Sequence, residues 1–224
     1  MRNKAVGSTI LSIGLLALAC GLLAAQGVKL SPQMAISKGA AVVHRATTPP
    51  PSAQVLYSNL GSKTDAYDDT GGWLIEGPNN PISGQSQVIA NPFTLSANST
   101  VTGIQIALGY LGAGTNNAAV AVFSDNGGLP GRALGFVNVQ NLPTFGTCCD
   151  LVTIKDPKGF KAKGGTQYWL VAGTDGPSKT AYDAWAYTWN DSQGPIAFEG
   201  TATNNVWTAF TGNVNAYAIY GTTP

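Results

Sequence analysis

From Val55 to the last residue no stretch repeats apolar residues at helical spacing; short alternating runs recur instead, separated by clusters of Gly, Asn, Asp and Pro. A chain patterned in this way buries its apolar surface as sheet. Ile104, Ile106, Leu108 and Tyr110 alternate with Gln105, Ala107 and Gly109, which sets four large side chains on one face of a single extended run. Val120 and Val122 continue the pattern up to the turn formers of 124–131. Within that run Asp125-Asn126-Gly127 reads as turn chemistry, since Asp and Asn bond their own backbone and Gly accepts positive φ. Further strands are expected over 55–58, 87–95, 151–154, 167–173, 182–189, 196–199, 206–210 and 216–220. About ten strands in one domain predict an all-β fold, a two-sheet, jelly-roll-like β-sandwich. Residues 168–172 are apolar on both faces and are expected at the centre of a sheet covered on each side.

The N-terminal part divides differently. Arg2 and Lys4 precede an uncharged, mostly apolar run to Ala25, which predicts a signal peptide over 1–25, cleaved before Gln26. Two alternatives are lipidation at Cys20 and retention of the segment as an anchor, and through these alone the chain is expected to meet a membrane. Residues 26–54 end in Thr47-Thr48-Pro49-Pro50-Pro51-Ser52 and predict an extended, Pro-rich linker before a sandwich domain over 55–224. A leader and spacer of this kind place the domain outside the cytoplasm, secreted or at the cell surface or periplasm.

Charge narrows the partners. Charged residues make up 10% of the chain, against about 25% in an ordinary globular protein. Residues 55–224 hold seven Lys and Arg against eleven Asp and Glu, a net −4. A mildly acidic domain is a poor binder of phosphate backbones, so no nucleic-acid partner is expected.

The runs 100–110 (TVTGIQIALGY), 124–131 (SDNGGLPG), 142–149 (LPTFGTCC) and 165–171 (GTQYWLV) together resemble bacterial secreted domains of the choice-of-anchor R kind. That resemblance spans roughly residues 55–220 and implies an exported β-sandwich of unassigned molecular activity. The chain differs from the group in ending at Tyr220-Gly221-Thr222-Thr223-Pro224 without an apolar tail. Free secretion or N-terminal attachment is then the expectation.

The only histidine, His44, lies in the linker, which excludes from 55–224 a Ser-His-Asp or Cys-His hydrolase and any imidazole-ligated metal. The reading is therefore of a domain that is no enzyme. An enzyme working through Asp and Glu alone on a polysaccharide is an alternative; Glu76 and Glu199 are the only glutamates, and a glycosidase pair stands about 5–9.5 Å apart. No cofactor is expected beyond calcium, for which Asp65, Asp68 and Asp69 offer hard oxygen ligands in one loop, although without EF-hand spacing. Cys148 and Cys149 are adjacent and become each other's partner in an oxidising compartment. Successive Cα atoms stand about 3.8 Å apart, under the usual 4.4 Å or so for a disulfide, so a vicinal bridge competes with two free thiols or intermolecular pairing. A vicinal ring would form a rigid apolar plate able to stack on a ligand or stiffen its loop.

Period two sets Asp183, Trp185, Tyr187 and Trp189 on one face, with Ala184, Ala186 and Thr188 on the other. Flat aromatic rings with a carboxylate at the rim suit the C–H faces and hydroxyls of sugars. The same stripe could instead fill the core. Trp207, after Asn204-Asn205, is a candidate extension of that face. The expected function is thus a non-catalytic surface or extracellular domain binding a glycan or matrix polymer, with a structural or adhesive envelope protein lacking a small ligand as the other reading.

Overall fold

The computed structural model describes residues 44–45, 53–174 and 179–224. The signal segment, Cys20 and most of the linker lie outside the described residues. Among the described residues fourteen strands form two antiparallel sheets packed as a sandwich, where the sequence predicts about ten. The five-stranded sheet runs β1 (His44–Arg45), β9 (Val152–Ala162), β5 (Ser99–Ile106), β14 (Tyr217–Thr222) and β2 (Gln54–Ser58). The nine-stranded sheet runs β6 (Leu108–Ala113), β11 (Tyr182–Thr188), β3 (Tyr67–Glu76), β4 (Gln87–Thr94), β10 (Gln167–Gly173), β7 (Asn117–Asp125) and β8 (Pro130–Gln140). A hairpin of β12 (Gln193–Gly200) and β13 (Thr208–Asn213) joins it through pairing of β12 with β4.

Three departures from the expected strands have physical causes. The run 104–110 is two strands, because the chain crosses from one sheet to the other at Ala107. There the Ala107 N–H donates to the Ala216 carbonyl at 3.2 Å while the Ala107 carbonyl accepts from Ala186 N–H at 2.9 Å. All three alanines are buried, and small side chains let the backbones of both sheets meet. The Asp-rich segment read as a loop enters β3 at Tyr67, and a wide bulge absorbs its turn-forming residues: Ala186 pairs with Gly72 but Tyr187 with Asp68. Likewise β9 runs on to Ala162 through a second bulge, where Lys155 opposes Gly103 and Phe160 opposes Val101.

Between the sheets lie Ile75, Ile89, Phe93, Ile104, Ile106, Leu170, Trp185 and Ile219. Each large aliphatic side chain sealed there contributes about 1.5–3 kcal/mol. As expected, β10 is covered on both sides: Leu170 faces this core while Trp169 and Val171 face a second cluster with Ala90, Phe123 and Ala197. Asp125 does more than turn the chain, since its Oδ1 accepts from Trp169 Nε1 and Gln167 Nε2, each at 2.8 Å. Burial opposes its ionisation, but the hydrogen bonds from Trp169, Gly128 and Gln167 hold the carboxyl below its ordinary value. A buried amide network fastens the two sheets. Asn91 Nδ2 donates to Asn215 Oδ1 at 2.8 Å, Asn215 Nδ2 to the Trp185 carbonyl at 2.5 Å, and Asn59 Nδ2 to the Asn215 carbonyl at 2.8 Å.

Candidate functional site

The predicted aromatic face does not form one platform. Asp183 and Trp185 are fully buried, and Trp185 Nε1 donates to the Ala216 carbonyl at 3.0 Å, which makes this indole part of the core. Neither carboxylate oxygen of Asp183 has a partner, and burial pushes its pKa up to about 8. Tyr187 is half-buried, edge-on to Trp73 at 5.7 Å, with burial and then the carboxylates of Asp191 and Asp68 raising its hydroxyl pKa. Trp207 covers the outer cluster edge-on to Phe123 at 6.3 Å, so it closes the far face of the nine-stranded sheet. Only Trp189 offers a broad open ring, 50% exposed.

Trp189 rests on Gly61 so closely that a β-carbon there would stand 2.6 Å from its Cγ. Gly61 in turn lines a cleft of about 190 Å³ on the outer side of the five-stranded sheet. Ser58 at the end of β2 and Ser62 and Lys63 in the loop after it supply two hydroxyls and one ammonium; Gln105 and Tyr220 form the floor. These two floor residues alternate with the core-facing Ile104, Ile106 and Ile219, which is why they point outward. Tyr220 Oη donates to Gln105 Oε1 at 2.6 Å, and Gln105 Nε2 donates to Thr153 Oγ1 at 3.2 Å. A prearranged row of amide and hydroxyl groups thus underlies the opening.

Cys148 and Cys149 are joined in a vicinal disulfide, and Cys149 forms part of the cleft wall beside Leu151. Several groups seat it. Cys149 Sγ accepts from Ala66 N–H at 3.2 Å, Cys148 N–H donates to Asp69 Oδ2 at 2.9 Å, and Tyr67 Oη donates to the Thr147 carbonyl at 2.8 Å. Burial pushes the Tyr67 hydroxyl up to about 12; its hydrogen bond at Asp150 opposes the rise, while the Asp150 and Asp69 charges add to it. Gly109 gives the preceding loop room, since a β-carbon at that position would lie 2.8 Å from Phe145 Cα.

The three aspartates read as calcium ligands have separate tasks. Asp69 holds the Cys148 N–H, Asp68 Oδ1 accepts from Thr70 N–H at 2.8 Å and Thr70 Oγ1 at 2.6 Å, and Asp65 is exposed. Among the described residues no three His, Cys, Asp or Glu side chains gather as a metal set. Glu76 and Glu199 lie on strands that pair with β4, opposite Gln87 and Val88 respectively. Glu76 Oε1 accepts from Ser83 Oγ at 2.7 Å, while burial pushes Glu199 up to about 7. A second cavity of about 90 Å³ lies between the sheets, lined by Ile104, Val122, Leu134, Phe136, Ile154 and Phe160 among others.

Sequence reasoning missed the cleft because its walls come from residues 58–66, 105, 149–151 and 220, which no local pattern connects. The outward period of Gln105 and the adjacent cysteines are the signals that pointed toward it. Comparison with protein-family models, curated proteins and solved structures returns no match to this chain.

Proposed function

We propose that this chain is an exported, non-catalytic β-sandwich that holds a saccharide unit of a surface or matrix polymer in the cleft beside the disulfide. The observation that carries the reading is the half-exposed Trp189 seated on Gly61, a residue of the cleft whose lining sets amide, hydroxyl and ammonium groups beside Leu60, Leu151 and Cys149. An indole face suits the C–H face of a sugar ring, and fixed polar groups beside it can orient hydroxyls. Cys149 of the disulfide and Leu60 add apolar surface to the same lining. The exported setting draws on the leader and linker of the sequence and on the resemblance to secreted choice-of-anchor R domains. A purely structural envelope role would have no use for an indole kept half in water at a polar opening. The test is retention of the full chain on an array of glycans and cell-wall polymers, in calcium and in chelator. Selective retention that Trp189→Ala abolishes, with the unfolding midpoint unchanged, is the expected result; a folded chain that retains nothing returns the protein to the structural reading.

A further inference from the structure

The cations of this acidic domain are not scattered. Lys155, Lys158, Lys161 and Lys163 are four of the seven Lys and Arg residues in 55–224, and all four are exposed. Along β9, Val152, Ile154 and Ala162 face the core between the sheets, so Thr153, Lys155 and Lys161 face outward. The bulge shortens the strand: Lys155 opposes Gly103 and Lys161 opposes Thr100, so the two lysines stand only three residue steps apart, about 10 Å. That interval is on the scale of a disaccharide. Lys158 lies in the bulge, where its N–H donates to Asp156 Oδ1 at 3.0 Å, and Lys163 continues just past the strand.

The outward positions of β9 run from the cleft to the lysines: Leu151 and Thr153, both buried, lie at the near end, and Lys155 and Lys161 stand exposed at the far end. Leu151, on the same alternation as Thr153 and Lys155, lines the opening, and Thr153 accepts the hydrogen bond from the Gln105 floor. Among the described residues that line the cleft, Lys63 is the one that carries a charge. We propose that the cleft and the outer side of β9 form one track for an acidic polysaccharide, its sugar seated beside Trp189 and its following carboxylates on Lys155 and Lys161. The inference rests on the saccharide reading above and names the class of polymer. An extended polyanion reaches both the recessed floor and the lysines, whereas a flat membrane surface meets the lysines alone. Charge-assisted contacts to carboxylates are short and strong relative to neutral ones, and they weaken with salt.

The experiment compares retention of a galacturonate oligomer, its neutral methyl ester, and vesicles of phosphatidylserine in phosphatidylcholine by the full chain, with free acetate as competitor. The acid oligomer is expected to be held about tenfold more firmly than the ester, the scale of two solvent-exposed ion pairs, with the difference fading in salt and resisting acetate. K155Q/K161Q should erase that difference without moving the thermal midpoint, and K155R/K161R should keep it. Acid and ester held alike, a glutamine double variant that behaves as the parent, or vesicles held as firmly as the oligomer would overturn the track. Trp189→Ala separates the two readings. If it abolishes retention of neutral saccharides while the acid oligomer gains nothing over its ester, the track falls and the cleft stands. If the acid oligomer is retained in Trp189→Ala but lost in K155Q/K161Q, the lysines hold a polyanion by themselves, and both the cleft reading and the single track fall.

Discussion

Trp185 and Trp189 stand four residues apart, the first within β11 and the second just beyond it, and the molecule uses them in opposite ways. Trp185 is sealed between the sheets with its N–H bonded to Ala216, while Trp189 lies half in water against Gly61. What separates them is the end of the strand: the register of β11 slips at the bulge in β3, and β11 then closes at Thr188, leaving Trp189 in the turn beyond it. Up to Ala186 the ladder holds β11 against β3 residue by residue; at Tyr187 the partner jumps from Gly72 to Asp68. Such a shift re-aims the side chains beyond it, a recurrent use of bulges beside functional surfaces. Asp69, left in the bulge, turns to hold the loop that carries the disulfide. One irregularity thus ends the core stripe and positions part of the cleft wall.

The contrast is broken most severely at Trp185. Trp185→Ala should cost about 3–5 kcal/mol of unfolding free energy, since it leaves a large cavity and removes one of the two hydrogen bonds that the Ala216 carbonyl accepts. Denaturant titration followed by circular dichroism measures this. A cost below about 1 kcal/mol would mean that the inward half of β11 is not the core element described.

Next in size is the carboxyl that shares the buried end of the strand. Asp183 has no hydrogen-bond partner, and its pKa is pushed up to about 8 by burial, whereas in the unfolded chain it ionises near 4. Between those values the folded protein keeps a proton that the unfolded chain has released, so stability falls as pH rises through the window and levels off above 8. Glu199, raised to about 7, adds a decline over a narrower range. Asp183→Asn should flatten most of the slope and stabilise the fold by about 2 kcal/mol at pH 8, a fraction of the roughly 1.4 kcal/mol per pKa unit because the amide is also left unpaired. Parallel pH–stability curves for the variant and parent would refute the assignment.

The fold was more legible than the site, for reasons visible in particular residues. The unbroken apolar runs 168–172 and 216–220 report burial directly, because a strand covered on both sides must be apolar on both faces, and the residues of both runs are buried. Period two also gave the outward direction of Gln105. It failed at Ala107, where the same alternation continues across a change of sheet, and in 64–72, where Asp and Gly mark turns that β3 absorbs as a bulge. Trp185 and Trp189 looked equivalent because their spacing is blind to that bulge. The cleft was hidden more deeply. Gln105, Cys149 and Tyr220 meet only through strand order, which depends on pairings more than a hundred residues apart.

The smallest effect on stability is expected at the disulfide, and it sharpens the contrast from the other side. A bridge between adjacent residues closes almost no loop, so it removes little entropy from the unfolded chain. The wall it forms is instead held by Tyr67 and Asp69, whose contacts on the Thr147 carbonyl and on the Cys148 N–H do not require the bond. Cys148→Ser/Cys149→Ser should therefore lower the unfolding free energy by under about 1 kcal/mol. The cleft should respond more. Loss of the apolar plate replaces a surface suited to a ring face with two hydroxyls that compete for its polar groups, so saccharide retention should fall severalfold while the Asp183-dependent pH slope stays where it is. Unfolding midpoints and retention measured on the same preparation check this. A variant that unfolds readily would make Cys148 and Cys149 a structural clamp rather than a wall, and one that retains saccharide unchanged would move the contact surface to Trp189 alone.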